Sequence, residues 1–113
     1  MQSKIPVATG PSELKISGHN TPGTLTLGKS YSIYGIVSSN YNITSLNVRV
    51  LNSQGIAVTY KAVVPNAKTY SIGNVDPYIY FDRLAKGNYR YQIIATDASG
   101  VSKMLVDSSF VVK

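Results

Sequence analysis

The sequence predicts an all-β fold, an antiparallel β-sandwich of about seven or eight strands. The chain has 113 residues with nine tyrosines, no cysteine and no tryptophan, and Glu13 is its single glutamate. Val, Ile, Tyr, Thr and Ser, which suit a pleated surface, stand where helix-rich proteins carry Glu, Lys, Leu and Ala. Short alternating segments separated by turn residues recur at the spacing of a sandwich. This length supports one domain with its own core and excludes a multidomain enzyme.

Turn residues and alternation place the strands along the chain. Residues 1–11 hold two prolines and a glycine without periodicity, so a linker is expected there, followed by one domain over residues 12–113. Within the domain, each alternating segment ends at a Gly, Pro, Asn or Ser cluster. The first expected strand is Glu13–Ser17, with Thr24–Leu27 as a short continuation after Pro22-Gly23. The others are Ser30–Ser38, Ile43–Leu51, Ile56–Val64, Thr69–Ile72 as a short edge strand, Tyr78–Phe81, Asn88–Asp97 and Ser102–Val112.

Three turns and one core follow from this assignment. Turns are expected at Asn40–Asn42, at Ser53–Gly55 as a hairpin, and at Ala98–Gly100, where Asp97 caps its own turn rather than binding a ligand. Strand parity then directs one set of apolar side chains inward, with Tyr31 beside them. The expected core is Leu14, Ile16, Ile33, Val37, Leu46, Val48, Val50, Ile79, Phe81, Leu84, Tyr91, Ile93, Phe110 and Val112.

The segment Leu84–Ile93 carries the most specific local pattern. Leu84 is a buried position, Gly87 permits a turn, and Tyr89 begins the next strand, which matches a tyrosine corner. In that corner the phenol hydroxyl bonds to upstream backbone and fixes a Greek-key crossover, so the sandwich is expected to be immunoglobulin-like. Alternation after the corner directs Arg90, Gln92, Ile94 and Thr96 outward.

Four segments resemble a known class of bacterial module. They are Gly28–Gly35, Ser38–Leu46, the corner pattern Leu84-x-x-Gly87-x-Tyr89-x-Tyr91, and Phe110-x-Val112. Over about residues 12–113 they look like the immunoglobulin-like and fibronectin-III-like accessory modules of secreted cell-wall hydrolases and surface proteins of Gram-positive bacteria. The resemblance implies an extracellular or cell-wall-associated, non-catalytic module that spaces, presents or anchors a neighbouring catalytic domain. It carries over no catalytic residue.

Charge and hydropathy narrow the set of partners. The net charge is +6, but the basic residues occur singly and form no cluster typical of nucleic-acid or phospholipid binding. The longest apolar runs have three or four residues, far from the roughly 18 needed to span a bilayer, and no secretory signal is recognised in residues 1–11. The expected partners are neighbouring domains and a cell-wall glycan or anionic wall polymer, with no nucleic acid and no membrane insertion. The isolated domain is expected to be a monomer, although an edge strand such as Thr69–Ile72 leaves self-association open.

The sequence contains little evidence for a catalytic or metal-binding group of residues. The single histidine, His19, lies in a predicted loop, and an exposed loop position explains it better than a catalytic triad. Asp76 and Asp82 flank the expected Tyr78–Phe81 strand, but turn and solvent roles are favoured over a glycosidase pair. The sequence has neither the residue spacing of a zinc or calcium site nor a phosphate-binding loop. We therefore expect no enzyme activity, no cofactor and no resident metal, with a weak structural ion left open.

Tyrosines provide the positive evidence for binding. Parity directs Tyr34, Tyr78 and Tyr80 to the outside of two strands that are neighbours in immunoglobulin-like topology. Such a strip could stack on sugar rings while its phenols hydrogen-bond hydroxyl groups. Cross-strand tyrosines also stabilise sheets without any ligand, which is the favoured interpretation, and an adjacent domain could pack there instead. On the other sheet Arg49, Arg90 and Gln92 form a mildly basic outer face.

Overall fold

The computed structural model describes residues 10–113, so residues 1–9 of the expected linker lie outside the described residues. Seven β-strands and three one-turn 3-10 helices form this part of the chain, and none of its helices is long and apolar enough to cross a membrane. The helices are Ile72–Asn74, Asp76–Tyr78 and Phe81–Arg83. The strands are β1 (Lys15–Ser17), β2 (Thr24–Leu25), β3 (Ile36–Leu51), β4 (Ala57–Val63), β5 (Ala67–Ser71), β6 (Gly87–Asp97) and β7 (Ser102–Val112). The predicted all-β sandwich is confirmed.

Strand β3 connects two groups of strands. Its first residues pair with β1 on one edge and β5 on the other, and the stretch from Ile43 onward pairs with β6 and β4. β6 then pairs with β7 along its length, and β7 pairs with β2. All pairs are antiparallel except β2–β7, which is parallel and departs from the purely antiparallel sheet that was expected.

The turn predicted at Asn40–Asn42 is wrong, because the strand continues through it. The register with β5 shifts between Ser38 and Ile43, so the extra residues form an irregularity in the pairing instead of a reversal. The Asn40 side chain accepts a hydrogen bond from the Glu13 backbone N–H at 2.8 Å and donates one to the Pro11 carbonyl at 3.1 Å. Asn40 is thus bonded to the N-terminal segment, and the predicted strands Ser30–Ser38 and Ile43–Leu51 become one, beginning at Ile36.

The core lies where strand parity placed it. Every predicted core residue is buried except Ile16, which is partly buried against the cluster. Phe81 is central: its ring lies 5.2 Å from that of Tyr31, 6.0 Å from Tyr91 and 5.8 Å from Phe110. The sequence analysis left out other fully or nearly fully buried residues, among them Ile43, Ile72, Val75 and Val106.

The strand predicted at Tyr78–Phe81 is also wrong. Consecutive 3-10 turns occupy this region, and Pro77 suits the start of one because its missing N–H would have no helical partner there. The Asp76 carboxylate accepts the Ile33 N–H at 2.7 Å, which fixes these turns to the segment before β3. Ile79 and Phe81 remain buried because the turns direct them inward. The apolar pattern therefore indicated burial correctly, but its period was misread as that of a strand.

Replacing Gly35 with alanine is expected to destabilise the fold by about 1–3 kcal/mol. Gly35 has φ +141°, and an added Cβ would lie 2.8 Å from the Cβ and 3.1 Å from the Cα of His19. Gly23→Ala is the matched control, since Gly23 has ordinary φ and open space around its Cα, and we expect it to be nearly neutral. Urea unfolding measures both, and equal stability of the two variants would contradict the close approach of Gly35 and His19.

Candidate functional site

The Leu84–Tyr89 segment forms the corner of the fold. The Tyr89 hydroxyl donates to the Ala85 carbonyl at 2.8 Å, and its ring stacks on Phe110 at 5.5 Å. Leu84 is buried, and Gly87 has φ +154°, a conformation that side-chain-bearing residues rarely adopt. These residues hold the chain where it passes from the last 3-10 helix into β6, so their role is structural.

The three candidate tyrosines are exposed but do not lie on strands. Tyr34 is 55% exposed, Tyr78 48% and Tyr80 39%. Tyr34 precedes β3, and its N–H donates to Asn20 Oδ1 at 3.0 Å. Tyr78 ends a 3-10 helix, and the N–H of Tyr80 donates to Thr59 Oγ1 on β4 at 3.1 Å. The premise of two neighbouring strands is therefore wrong: Tyr78 and Tyr80 lie beside β4, and Tyr34 lies beside the loop that contains Asn20.

Cations lie against two of these rings. The Lys61 ammonium is 4.4 Å from the centre of the Tyr78 ring, and the Arg83 guanidinium is 4.1 Å from the centre of the Tyr80 ring. Such cation–π contacts fix the ring orientation and occupy one ring face. An open cavity of about 330 Å³ adjoins Tyr80, with Val58 and Arg83 in its walls. A ligand that stacks on these rings would therefore have to use the face opposite the cation.

The predicted basic face carries an acid that the sequence analysis did not place there. Arg49 Nε donates to Gln92 Oε1 at 2.9 Å, Gln92 Nε2 donates to Asp107 Oδ1 at 3.1 Å, and Arg90 Nε donates to the same oxygen at 2.7 Å. Hydrogen bonds from Arg90 and then Gln92 hold the pKa of Asp107 below its usual value. Gln92, which was predicted to point outward, is only 6% exposed because these hydrogen-bonded side chains enclose it. The negative charge of Asp107 offsets the positive charge of one of the two arginines. This face is therefore less suited to anion binding than the sequence suggested.

Asp97 is the most densely bonded carboxylate in the described chain. It is 1% exposed, and one oxygen accepts the hydroxyls of Ser12 and Ser39 while the other accepts the N–H and hydroxyl of Ser99. Burial alone would raise its pKa, but these hydrogen bonds outweigh burial and hold the pKa of Asp97 at about 2. The bonds to Ser99 agree with the predicted turn cap. The bonds to Ser12 and Ser39 join the N-terminal segment, β3 and the β6–β7 turn.

The residues considered for catalysis do not come together. His19 is exposed in its loop, Asp82 is exposed on a 3-10 helix, and Asp76 is bonded to the Ile33 backbone. Across residues 10–113, no three His, Asp or Glu side chains are grouped so that they could hold a metal ion. Asp76 therefore bonds the backbone of a distant segment, and His19 and Asp82 face solvent.

Sequence reasoning missed one exposed surface, on β4. Ile56, Val58, Tyr60 and Val64 are among the most exposed large apolar residues, and Ala62 between them is exposed as well. The segment from Ile56 to Val64, in which only Thr59 and Lys61 are polar, is visible in the sequence and could have revealed it. It was interpreted only as a strand, because an apolar segment does not tell which of its residues meet the core.

Comparisons with known proteins give a fold and no family. No protein-family model matches the chain, and no curated protein matches its sequence. CopC from Methylosinus trichosporium OB3b superposes with a TM-score of 0.50 at 13% identity, over 89% of this chain and 94% of that one. The CARDB domain of the PF1109 protein from Pyrococcus furiosus, solved with di-metal ions, superposes with a TM-score of 0.50 at 15% identity, over 100% and 99%.

A third structure superposes less well. The fibronectin(III)-like modules of CbhA from Clostridium thermocellum give a TM-score of 0.35 at 12% identity, over 88% of this chain and 92% of that one, which is too distant to add support. The strand order, the tyrosine corner and the first two likenesses support an immunoglobulin-like fold. At these identities the likeness concerns the fold alone.

Proposed function

We propose that the chain is a non-catalytic immunoglobulin-like module of a secreted or surface bacterial protein. It acts as a spacer or interaction domain beside a catalytic domain such as a cell-wall hydrolase. The observation that carries this proposal is the position of the two ends of the described chain, which lie at opposite ends of strand β7.

The N-terminal end lies at the start of β7. Ser12 bonds to Asp97 just before the turn into β7, and Lys103 Nζ on β7 donates to the Leu14 carbonyl at 3.1 Å. The C-terminal end lies beyond the far end of β7, where Lys113 exchanges backbone hydrogen bonds with Leu25 and Leu27 at 2.9 Å. A strand of this length spans about 35 Å at 3.3 Å per residue. Domains joined to the two ends would be held apart by the length of the module.

The hydrogen bonds at both ends favour a stiff spacer. The hydroxyl of Tyr41 donates to the Gly10 carbonyl at 2.6 Å, and Asn40 bonds to Pro11, so the chain is bonded to β3 from its first described residues. At the other end, β2 adds a parallel partner to the last residues of β7. Ordered backbone at both ends transmits orientation between neighbours, which a flexible linker does not.

A distance measurement tests the spacer arrangement. The chain lacks cysteine, so a Glu13→Cys, Lys113→Cys double variant accepts two spin labels at exposed positions near the two ends. We expect a narrow distance distribution centred near 35 Å, broadened by the label linkers. A Gln54→Cys, Lys113→Cys pair, with its first label at an exposed position in the β3–β4 turn, is the control. A broad distribution, or a mean below about 20 Å for the terminal pair, would refute the spacer geometry.

Glycan binding is the second candidate, and the cavity beside Tyr80 is the observation that favours it. The exposed faces of Tyr78 and Tyr80, with Arg83 beside them, offer stacking and a charge to a cell-wall sugar. Amide chemical shifts recorded during titration with soluble peptidoglycan fragments distinguish the two functions. Localised shifts around Tyr78 and Tyr80 that vanish in Tyr80→Ala, but persist in Tyr34→Ala, would establish binding at these rings. Absence of shifts at millimolar ligand supports a spacer without a glycan ligand.

A further inference from the structure

Two tyrosine rings and two cations form a row beside β4. Lys61 on β4 contacts Tyr78, and Thr59, two residues earlier on the same strand, accepts the backbone N–H of Tyr80. The segment from Tyr78 to Tyr80 therefore runs antiparallel to β4, and its two contacts with the strand lie about 7 Å apart. Arg83 continues the row, because its guanidinium lies over the Tyr80 ring. We call Lys61, Tyr78, Tyr80 and Arg83 the basic–aromatic row.

The two cations of this row lack an acidic partner. Within residues 10–113 the one ion pair joins Arg90 to Asp107, so neither Lys61 nor Arg83 is paired with a carboxylate of that part of the chain. Asp82 precedes Arg83 in the chain, but its side chain is exposed and does not pair with the guanidinium. The net charge of +6 adds to the positive potential around the row. An approaching anion therefore meets two uncompensated positive charges.

The tyrosine rings fix the positions of these cations. A ligand that must order mobile lysine and arginine side chains loses affinity through their conformational entropy. Here the Lys61 ammonium and the Arg83 guanidinium already lie 4.4 Å and 4.1 Å from the ring centres, and Lys61 is partly buried. The cavity of about 330 Å³ beside Tyr80 leaves room for an acidic group at Arg83. The row is thus ordered for an anion before the anion arrives.

We propose that the basic–aromatic row binds an acidic glycan, a chain of sugars that carries carboxylate or phosphate groups. This inference rests on the second candidate function, glycan binding at Tyr78 and Tyr80, and names the class of ligand. Acidic groups accept charge-assisted hydrogen bonds from Lys61 and Arg83. Sugar rings stack on the tyrosine faces that the cations leave open.

The positions of the cations favour an oligomer over a single sugar. Each cation lies 4.4 Å or 4.1 Å from the centre of one ring face. A sugar stacked on the opposite face lies about 4 Å from the ring, so about 8 Å separates it from the cation, with the tyrosine ring between them. An acidic group on that sugar does not reach the cation through the ring. The stacked sugar and the bound acid therefore belong to different units of one chain.

Titration with charged and neutral forms of one saccharide tests the class of ligand. Tetragalacturonate carries a carboxylate on every sugar, and its full methyl ester has the same sugar chain without the charges. Amide chemical shifts around residues 78–83 should follow tetragalacturonate, with the ester bound at least about fivefold more weakly. Raising salt from about 0.05 to 0.5 M should weaken binding of the acid and leave that of the ester unchanged. Monomeric galacturonate should bind at least about tenfold more weakly than the tetramer.

Two further ligands define the acidic group and the kind of polymer. Phosphorylated maltotetraose, compared with maltotetraose, shows whether a phosphate replaces the carboxylate. A thymidine tetranucleotide offers phosphates and stacking bases without sugars that can stack. Tighter binding of the tetranucleotide than of either acidic saccharide would refute the proposal and assign the row to single-stranded nucleic acid.

Charge-removing variants test the residues. Arg83→Gln and Lys61→Gln should each weaken binding of tetragalacturonate about fivefold and leave binding of the ester unchanged. Lys29→Gln is the matched control: it removes one positive charge at an exposed position after β2, and β7, β6 and β3 separate β2 from β4. This variant should bind as the wild type does, and circular dichroism verifies that all three are folded. Equal weakening by Lys29→Gln would refute the proposal, because net charge rather than the row would then determine binding.

The titrations distinguish failure of this inference from failure of glycan binding itself. Equal binding of tetragalacturonate and its ester at residues 78–83 would refute the acidic ligand and retain glycan binding there. Shifts with peptidoglycan fragments, but with neither acidic saccharide at millimolar concentration, would do the same. Absence of shifts with every saccharide would refute both.

Discussion

Replacing Phe81 with alanine is expected to destabilise the fold by about 3–5 kcal/mol. Phe81 is 3% exposed, and its ring contacts those of Tyr31, Tyr91 and Phe110. The residue lies within the irregular connection between β5 and β6, yet it fills the centre of the core between the segment before β3 and the faces of β6 and β7. Truncation removes apolar burial and leaves a cavity that strands cannot close without breaking their pairing. Urea unfolding followed by tyrosine fluorescence measures the loss.

A smaller change keeps this prediction testable if the alanine variant does not fold. Phe81→Leu retains most of the volume and should cost less than half as much. Tyr78→Ala removes a ring from the same connection at an exposed position and should change stability by less than about 1 kcal/mol. A loss for Phe81→Ala no larger than that for Tyr78→Ala would mean that the connection does not pack as described.

Asp97→Ala should have the second largest effect, about 2–4 kcal/mol at pH 7. The substitution removes four hydrogen bonds that the buried Asp97 carboxylate accepts from the partly buried Ser12 and Ser39 and from the exposed Ser99. It also releases the N-terminal segment from the β6–β7 turn, so hydrogen exchange in β1 should accelerate together with the global loss. Asp82→Ala, at an exposed carboxylate, is the control and should be within about 0.5 kcal/mol of wild type.

The effect of Asp97→Ala should depend on pH in a defined direction. The pKa of Asp97 is about 2 in the folded chain against 3.8 for an ordinary aspartate carboxyl group, so the unfolded chain binds the proton first as pH falls. The stabilisation is complete above about pH 4 and declines as pH drops toward 2. The stability difference between wild type and Asp97→Ala should therefore narrow from pH 4 to pH 2. Asp107 titrates in both proteins, so its contribution cancels when their stabilities are compared. A stability difference that stays constant from pH 4 to pH 2 would contradict the hydrogen bonding described for Asp97.

Much of the fold could be predicted because burial follows strand parity. Leu46, Val48 and Val50 alternate toward the core, and the same rule assigned Tyr91 and Ile93. The hairpin at Ser53–Gly55 and the turn at Ala98–Gly100 formed where glycine permits the required backbone, with φ +78° at Gly55 and +90° at Gly100. Local chemistry determines these features, so one sequence suffices to find them.

Features set by distant partners could not be predicted. Asn40 looked like a turn residue, but its bonds to Glu13 and Pro11 let β3 continue. Gln92 has outward parity, yet Arg49 and Asp107 from two other strands enclose it. In each case a polar side chain meets a partner tens of residues away, which periodicity cannot reveal.

The sequence predicted the exposure of the candidate tyrosines but not where they lie in the fold. Tyr78 and Tyr80 are exposed, as expected, but they lie on turns, where Lys61 and Arg83 cover one face of each ring. The exposed apolar residues of β4, among them Val58 and Tyr60, were missed because Val and Tyr in a strand are equally compatible with a buried face. Only their exposure in the structure shows that these side chains are uncovered.

The connections made by β3 bear on how the chain reaches its fold. β3 takes partners from residues 15–17 and from residues 87–97, and the Ser12–Asp97 hydrogen bond closes an 85-residue separation. Such distant pairings slow folding, and rates in the range of about milliseconds to seconds are expected. On a ribosome, β3 and β4 would emerge before β6 exists to pair with the other edge of β3. The early hairpin would then present apolar residues on both faces, so the interval before β6 arrives is when the chain most needs protection from aggregation.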